Sequence, residues 1–106
     1  MPEINTITIK VNPTAIISGQ KSVTTAGTAV ALSSNTSTIK AVMIKANSGN
    51  TNNIYVGNDG AGDVSSSNGY ILAAGEEIIV YCDSLTEIYL DADTNGEGVS
   101  YIAYLE

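Results

Sequence analysis

Short runs of apolar residues, each closed by a turn signal, recur along the chain. Three of them lie in the stretch Gly69–Asp93, at Tyr70–Leu72, Ile78–Cys82 and Ile88–Leu90. Ile and Tyr dominate these runs, and their lengths suit strands better than helices. The stretch therefore predicts much of the core of a β-sheet protein.

The N-terminal region has the clearest alternation of apolar and polar residues. Between Ile4 and Val11, the apolar side chains of Ile7 and Ile9 alternate with threonine and lysine. A period of two predicts a half-buried strand, which the following Asn12-Pro13 ends because proline has no N–H to donate. Residues 1–19 are predicted to form an N-terminal strand or arm that docks on another surface.

Residues 20–106 are predicted to form the β-sandwich domain. Further strands are expected at Lys21–Thr25, Thr28–Leu32, Ile39–Ala46, Ile54–Val56, Glu76–Cys82, Thr86–Leu90 and Val99–Leu105. Lys40 falls in phase with Val42, and Asn95-Gly96 predicts a hairpin before the last strand. Both faces of that last strand are apolar, which favours a central position or a subunit contact.

This series of eight or nine short strands, with no helical period of useful length, defines the expected fold class. It predicts an all-β protein, an antiparallel β-sandwich of jelly-roll type. At 106 residues the chain has the length of one domain with a single two-layer core. It has no Trp and no Phe, so its six tyrosines carry all the aromatic bulk.

Charge is distributed unevenly along the sequence. Residues 1–45 contain four lysines and one acid, a net charge of +3, whereas residues 46–106 contain ten acids and no base, a net charge of −10. With so few bases, no basic patch adequate for neutralising phosphates can be assembled, which excludes nucleic acid as a partner. The acidic part either keeps the domain soluble or faces a basic surface, a cation, or the lysines of another copy.

The composition also argues against an enzyme and against a membrane protein. Cys82 is the only cysteine, is in phase with Ile78 and Val80, and is expected to point inward as a small hydrophobe. The chain has no histidine to activate a nucleophile, and no triad or metal-hydrolase pattern is present. No apolar run reaches the 18 residues of a membrane span, and no secretory signal is recognisable. We expect synthesis in a cytoplasm.

The segment Asp91–Gly98 carries the one pattern that suggests a metal. Asp91, Asp93 and Asn95, followed by glycine, match the first six positions of a helix–loop–helix calcium loop. The position of the final bidentate glutamate, however, is Ile102. One interpretation is a hairpin whose carboxylates stay solvated. The other is a non-standard calcium site that also uses Asp59 or Asp63; no other cofactor is predicted.

Two kinds of contact residue are predicted. Tyrosines on a sheet can stack on sugars, which makes Tyr70 and Tyr89 candidates for glycan contact, although packing at sheet edges or subunit contacts explains tyrosines equally well. Tyr81 and Tyr89 are out of phase with their apolar neighbours and are expected on the opposite face. In the N-terminal arm, Ile4, Ile7 and Ile9 are the candidates for contact with the surface on which the arm docks.

Four segments carry a resemblance to a known class of proteins. VTTAGTAVALSS, TIKAVMIKANSGNTNNIYVGNDG, SSSNGYILAAGEEIIV and LTEIYLDADTNGEGVSYIAYLE resemble small β-sandwich structural proteins of tailed-phage virions, which decorate heads or contribute to tails and fibres. The resemblance covers roughly residues 20–106. It implies a non-enzymatic virion component, commonly a homotrimer, with a major capsid or other virion protein as partner and no catalytic residues. It also implies synthesis in the host bacterial cytoplasm and display on the virion surface.

Three functional hypotheses follow. The leading one is a capsid-decorating or head-associated oligomer. The alternative is a tail or fibre module that binds host-surface glycan. A third is a cellular, calcium-dependent, adhesion-like domain.

Overall fold

The computed structural model of the chain describes residues 12–58 and 64–106. These residues contain eight β-strands and one helical turn. The strands are β1 Ile16–Ser22, β2 Val30–Ala31, β3 Ile39–Ala46, β4 Ile54–Asn58, β5 Tyr70–Leu72, β6 Glu77–Val80, β7 Ile88–Ala92 and β8 Gly98–Leu105. The helical turn is a 3-10 helix at Leu85–Glu87. Within the described segments no helix has the length and apolarity needed to cross a membrane. The strand predicted between Ile4 and Val11, with Ile4, Ile7 and Ile9, lies outside the described residues.

The strands form two antiparallel sheets of four, with the orders β1-β8-β3-β6 (sheet A) and β2-β7-β4-β5 (sheet B). The first strand pairs with the last, the second with the seventh, the third with the sixth, and the fourth with the fifth. This pairing is a long hairpin rolled into two sheets, which is the eight-stranded jelly roll. The predicted fold class is confirmed.

The core lies between the sheets and follows from the alternation within each strand. Val42, Ile44 and Ala46 of β3 face Ile54, Val56, Leu90 and their neighbours from sheet B, and all are buried. In β8, Tyr101, Ala103 and Leu105 point inward, while Ile102 and Tyr104 point outward. β8 is central, between β1 and β3, which is one of the two positions predicted for it.

The predicted hairpin at Asn95-Gly96 is wrong in its pairing. The turn exists, with Gly96 at φ +84°, but it joins β7 of sheet B to β8 of sheet A. Both flanking strands pair with other partners within their own sheets, β7 with β2 and β4, and β8 with β1 and β3. A local turn signal therefore marks a connection between the layers here.

Two smaller predictions also need correction. The strand expected at Lys21–Thr25 is the end of β1, which runs from Ile16 to Ser22. In β3, a register shift between Ile39 and Ala41 changes the alternation. This bulge lets both Ile39 and Val42 face the core, so Lys40 is not in phase with Val42.

Candidate functional site

One side of the sandwich, where the edge strands β5 and β6 lie, exposes large apolar side chains. They are Tyr70 (59% exposed), Ile71 (54%), Ile79 (44%) and Tyr81 (80%). We call this surface the β5–β6 side. Both strands are short, so their ends leave the inner faces of the sheets partly open to solvent. Exposed apolar clusters of this kind are typical of contact surfaces.

A groove of about 270 Å³ enters the sandwich between β5 and β6. Its walls are mainly apolar, and its lining includes Val56, Tyr70, Ile78, Val80, Tyr81, Cys82 and Ile88. Asn58 and Glu87 are polar groups in the same lining. The groove thus combines an apolar wall, two exposed tyrosines and a small number of polar groups, the composition expected of a ligand site.

Cys82 packs against the core in this groove, as its phase with Ile78 and Val80 predicted. Burial raises the pKa of its thiol, and the nearby carboxylates of Glu87 and Asp83 act in the same direction. The Sγ atom donates to the carbonyl of Ser84 at 3.6 Å. A thiol held protonated in this way is a poor nucleophile.

The outer face of sheet A carries a second apolar surface. The cross-strand register places Ile16, Tyr104 and Ala41 in one row, and Ser18, Ile102, Met43 and Ile79 in the next. A third row is polar, with Gln20, Ser100, Lys45 and Glu77. Two shallow grooves of about 350 and 220 Å³ lie on this face.

The outer face of sheet B is closed by the chain's own loops. Val64 is 4% exposed, and a Cβ added at Gly57 of β4 would lie 2.7 Å from its Cγ2 atom. On β7, the carboxylate of Asp91 accepts a hydrogen bond of 2.9 Å from the backbone N–H of Gly27, in the β1–β2 loop. Asp91 is therefore buried on this face, whereas Ile71 of the edge strand β5 stays exposed there.

The three predicted calcium ligands each accept a hydrogen bond, two of them from the β1–β2 turn and one from β4. Asp91 binds the Gly27 amide, Asp93 accepts from the Tyr55 hydroxyl at 2.8 Å, and Asn95 Oδ1 accepts from the Ala26 amide at 2.7 Å. Asp91 is only 3% exposed, which corrects the expectation of a solvated carboxylate at this position, whereas Asp93 is exposed.

For the calcium site as a whole, the described residues contain no group of three or more His, Cys, Asp or Glu side chains that could hold a metal. Asp59 and Asp63 lie outside those residues. The observed hydrogen bonds give Asp91, Asp93 and Asn95 a clear structural role, which is to fix the β7–β8 connection. Calcium binding stays a prediction.

The two predicted glycan contacts are not brought together. Tyr70 lies opposite Val56, in the inward-facing row of sheet B, and projects into the β5–β6 groove. Tyr89 lies opposite Gly57, in the outward-facing row, and is half-buried. The structure instead places Tyr70 and Tyr81 in the same groove. The out-of-phase position of Tyr81 beside Cys82 was the sequence signal for its exposure.

At the end of the sandwich that holds the β3–β4 and β7–β8 loops, Glu97 joins the two loops. Its carboxylate accepts from the backbone N–H of Thr51 at 2.6 Å, from the Thr51 hydroxyl at 2.8 Å and from the Asn52 amide at 3.1 Å. The Thr51 backbone bond is the main cause that lowers the pKa of Glu97 below its ordinary value. Glu97 thus orders these loops.

Comparison with protein-family models, with curated proteins and with solved structures gives no significant match.

Proposed function

We propose that this chain is a non-enzymatic structural protein of a tailed-phage virion, and specifically a capsid-decorating or head-associated oligomer. The observation that carries the proposal is the apolar β5–β6 side, where four large side chains are exposed beside two sheet edges. A soluble monomer rarely leaves such residues together without a partner. Further copies of the chain, as a homotrimer, and the virion shell are the proposed partners.

The fold and the sequence support the same assignment by analogy. Jelly rolls are common among viral capsid domains, although the fold alone does not define a function. The resemblance of residues 20–106 to small virion proteins comes from the sequence and is independent of the exposed surface.

The first experiment is gold-labelled antibody imaging of virions purified from a lysate of the source strain. We expect label distributed over the heads. Label confined to the tail would contradict decoration and favour the tail or fibre alternative. Particles without any label would contradict a virion role altogether.

A variant pair tests whether the β5–β6 side carries the association. Ile71→Asp combined with Tyr81→Asp places two charges on that side and is expected to reduce the oligomer to monomers in light scattering. Ser22→Asp combined with Thr24→Asp adds the same charge at exposed positions near the opposite edge and serves as the control. Equal association of both variants would contradict the proposed surface.

A second candidate function, glycan binding by a tail or fibre module, is favoured by one observation. Tyr70 and Tyr81 flank a groove that also contains Asn58 and Glu87, so stacking faces and hydrogen-bonding groups occur together. On a glycan array, Tyr70→Ala should abolish binding, whereas Tyr89→Ala, on the other face of the sheet, should retain it. An array without any bound glycan would exclude this candidate.

A further inference from the structure

The groove between β5 and β6 is lined by four exposed side chains that can form hydrogen bonds. They are Asn58, Tyr70, Tyr81 and Glu87. Among the described residues, none of these side chains has a hydrogen-bond or ion-pair partner. The groove therefore offers a carboxylate, an amide and two aromatic rings, set in a mainly apolar wall, to a group from outside the chain.

The volume of the groove limits what can enter it. Its volume of about 270 Å³ is slightly below the range of about 300 to 1,000 Å³ that is usual for the sites of drug-sized ligands. A peptide segment of several residues exceeds this volume, whereas one long side chain fits within it. The groove is therefore suited to a single side chain of another protein, inserted between the edges of the two sheets.

The charges around the groove favour a cation. Its lining contains the carboxylate of Glu87 and no lysine. Burial is the main cause that raises the pKa of the Cys82 thiol, and the carboxylates of Glu87 and Asp83 raise it further. Their negative field therefore reaches the part of the groove where Cys82 lies. This field attracts a positively charged group that enters the groove and repels an anion.

An arginine side chain combines the properties that this lining favours. Its aliphatic stem can pack along apolar walls while the charged group stays at the rim in contact with water. The planar guanidinium stacks on aromatic rings and forms paired hydrogen bonds with a carboxylate. It is also more weakly hydrated than the ammonium of lysine, so its entry into an apolar groove costs less free energy.

We propose that the β5–β6 groove receives an arginine side chain of a virion-shell protein, with the guanidinium between the Tyr81 ring and the Glu87 carboxylate. The aliphatic stem packs against Val80 and Ile88 in the same lining. Another copy of the chain cannot supply this group, because all four of its basic residues are lysines. The inference rests on the proposed function and deepens it, since it defines the chemistry of the partner at the β5–β6 side.

A peptide titration tests the groove directly. The protein is titrated with acetyl-Gly-Arg-Gly-amide, and NMR follows the backbone amide chemical shifts, which should change most at Val80, Tyr81, Cys82 and Ile88. The matched peptide with citrulline has nearly the same shape but no charge. It should bind at least about threefold more weakly, because it lacks the charge that Glu87 attracts. A lysine peptide should also bind less tightly than the arginine peptide.

A pair of charge variants separates a defined site from a general negative field. Glu87→Gln should weaken binding of the arginine peptide about threefold to fivefold, which is the contribution of an accessible ion pair. Glu77→Gln removes the same charge from the same side of the sandwich, but Glu77 lines other grooves and not this one. This control variant should bind the peptide as the wild type does.

Three results would overturn the proposal. They are the absence of binding, equal losses in Glu87→Gln and Glu77→Gln, and a citrulline or lysine peptide that binds as tightly as the arginine peptide. The virion role is tested separately by antibody labelling. Labelled heads without peptide binding would contradict the arginine site alone, whereas peptide binding with unlabelled particles would contradict only its assignment to a virion shell.

Discussion

The two outer faces of this jelly roll differ in how far the chain's own loops cover them. On sheet B, Tyr55 and Asp91 are 5% and 3% exposed, because the segment that contains Val64 and the turn that contains Gly27 fold over them. On sheet A, Ile16 and Ile79 are 56% and 44% exposed. The difference shows that an outward-facing residue in a sandwich is not necessarily a surface residue, since the connections decide which sheet is covered.

The comparison also explains why polar groups occur in the covered layer. A loop that lies on a sheet must pair its own backbone donors, and the side chains of Asp91 and Asn95 accept such hydrogen bonds from the turn that contains Gly27. The open face of sheet A instead presents mainly side chains that need no such partner. An apolar layer of this kind is suited to a segment or protein that packs through side chains.

The largest effect is expected from Asp91→Ala, which removes the acceptor of the Gly27 and Ala92 amides. Leaving buried donors unpaired should lower the free energy of unfolding by about 2 to 3 kcal/mol. Urea denaturation measures the loss. Asp91→Asn keeps one acceptor oxygen and is the matched control; an equal loss in both variants would show that the charge, rather than the hydrogen bond, holds the loop.

Gly57→Ala should have the next largest effect, about 1 to 2 kcal/mol. The added Cβ would lie 2.7 Å from Val64 Cγ2, so the covering segment must shift away from β4. Gly49→Ala adds the same methyl group where no atom lies within 4 Å and should have little effect in the same denaturation experiment. A Gly57→Ala variant as stable as the wild type would mean that the segment that contains Val64 shifts without a loss in the free energy of unfolding.

Tyr55→Phe should cost about 1 kcal/mol, the usual contribution of one hydrogen bond. The bond to Asp93 is the main cause that raises the pKa of the Tyr55 hydroxyl above its ordinary 10.0. Because folding raises this pKa, the protonated hydroxyl contributes its full stabilisation at pH values below its pKa in the unfolded state. The contribution is lost as the pH rises through its pKa in the folded state. The wild type should therefore lose more stability above pH 10 than Tyr55→Phe does, and parallel pH profiles would contradict this.

The smallest effect is expected on sheet A. Ile102→Thr should change the free energy of unfolding by less than about 0.5 kcal/mol in urea denaturation, the usual range for a partly exposed surface position. A loss as large as that of Gly57→Ala would remove the distinction between a covered and an uncovered face.

The fold places one lysine of the basic part of the sequence opposite one glutamate of the acidic part. Lys45 lies in register with Glu77, on neighbouring strands of sheet A. This placement could not be expected from linear order alone, because 30 residues lie between β3 and β6. The prediction that unlike edges of neighbouring copies attract each other stays open for the remaining charges.

What the sequence determined by itself is most of the described strands and the inner side of most of them. The bounds of β3 and β5 agree with prediction, because alternation, turn residues and apolar runs are local signals that the backbone period converts directly into strand faces. The inward position of Cys82 and the exposure of Tyr81 came from the same rule.

Only the tertiary structure decided which strands pair, which loops cover a face and which side chains meet. It assigned β7 and β8 to different sheets in spite of a local hairpin signal, buried Asp91, separated Tyr70 from Tyr89 and placed Tyr81 beside Tyr70. The physical reason is that alternation defines the apolar side of a strand but not its neighbour. The neighbour is selected by long-range packing of both layers at once.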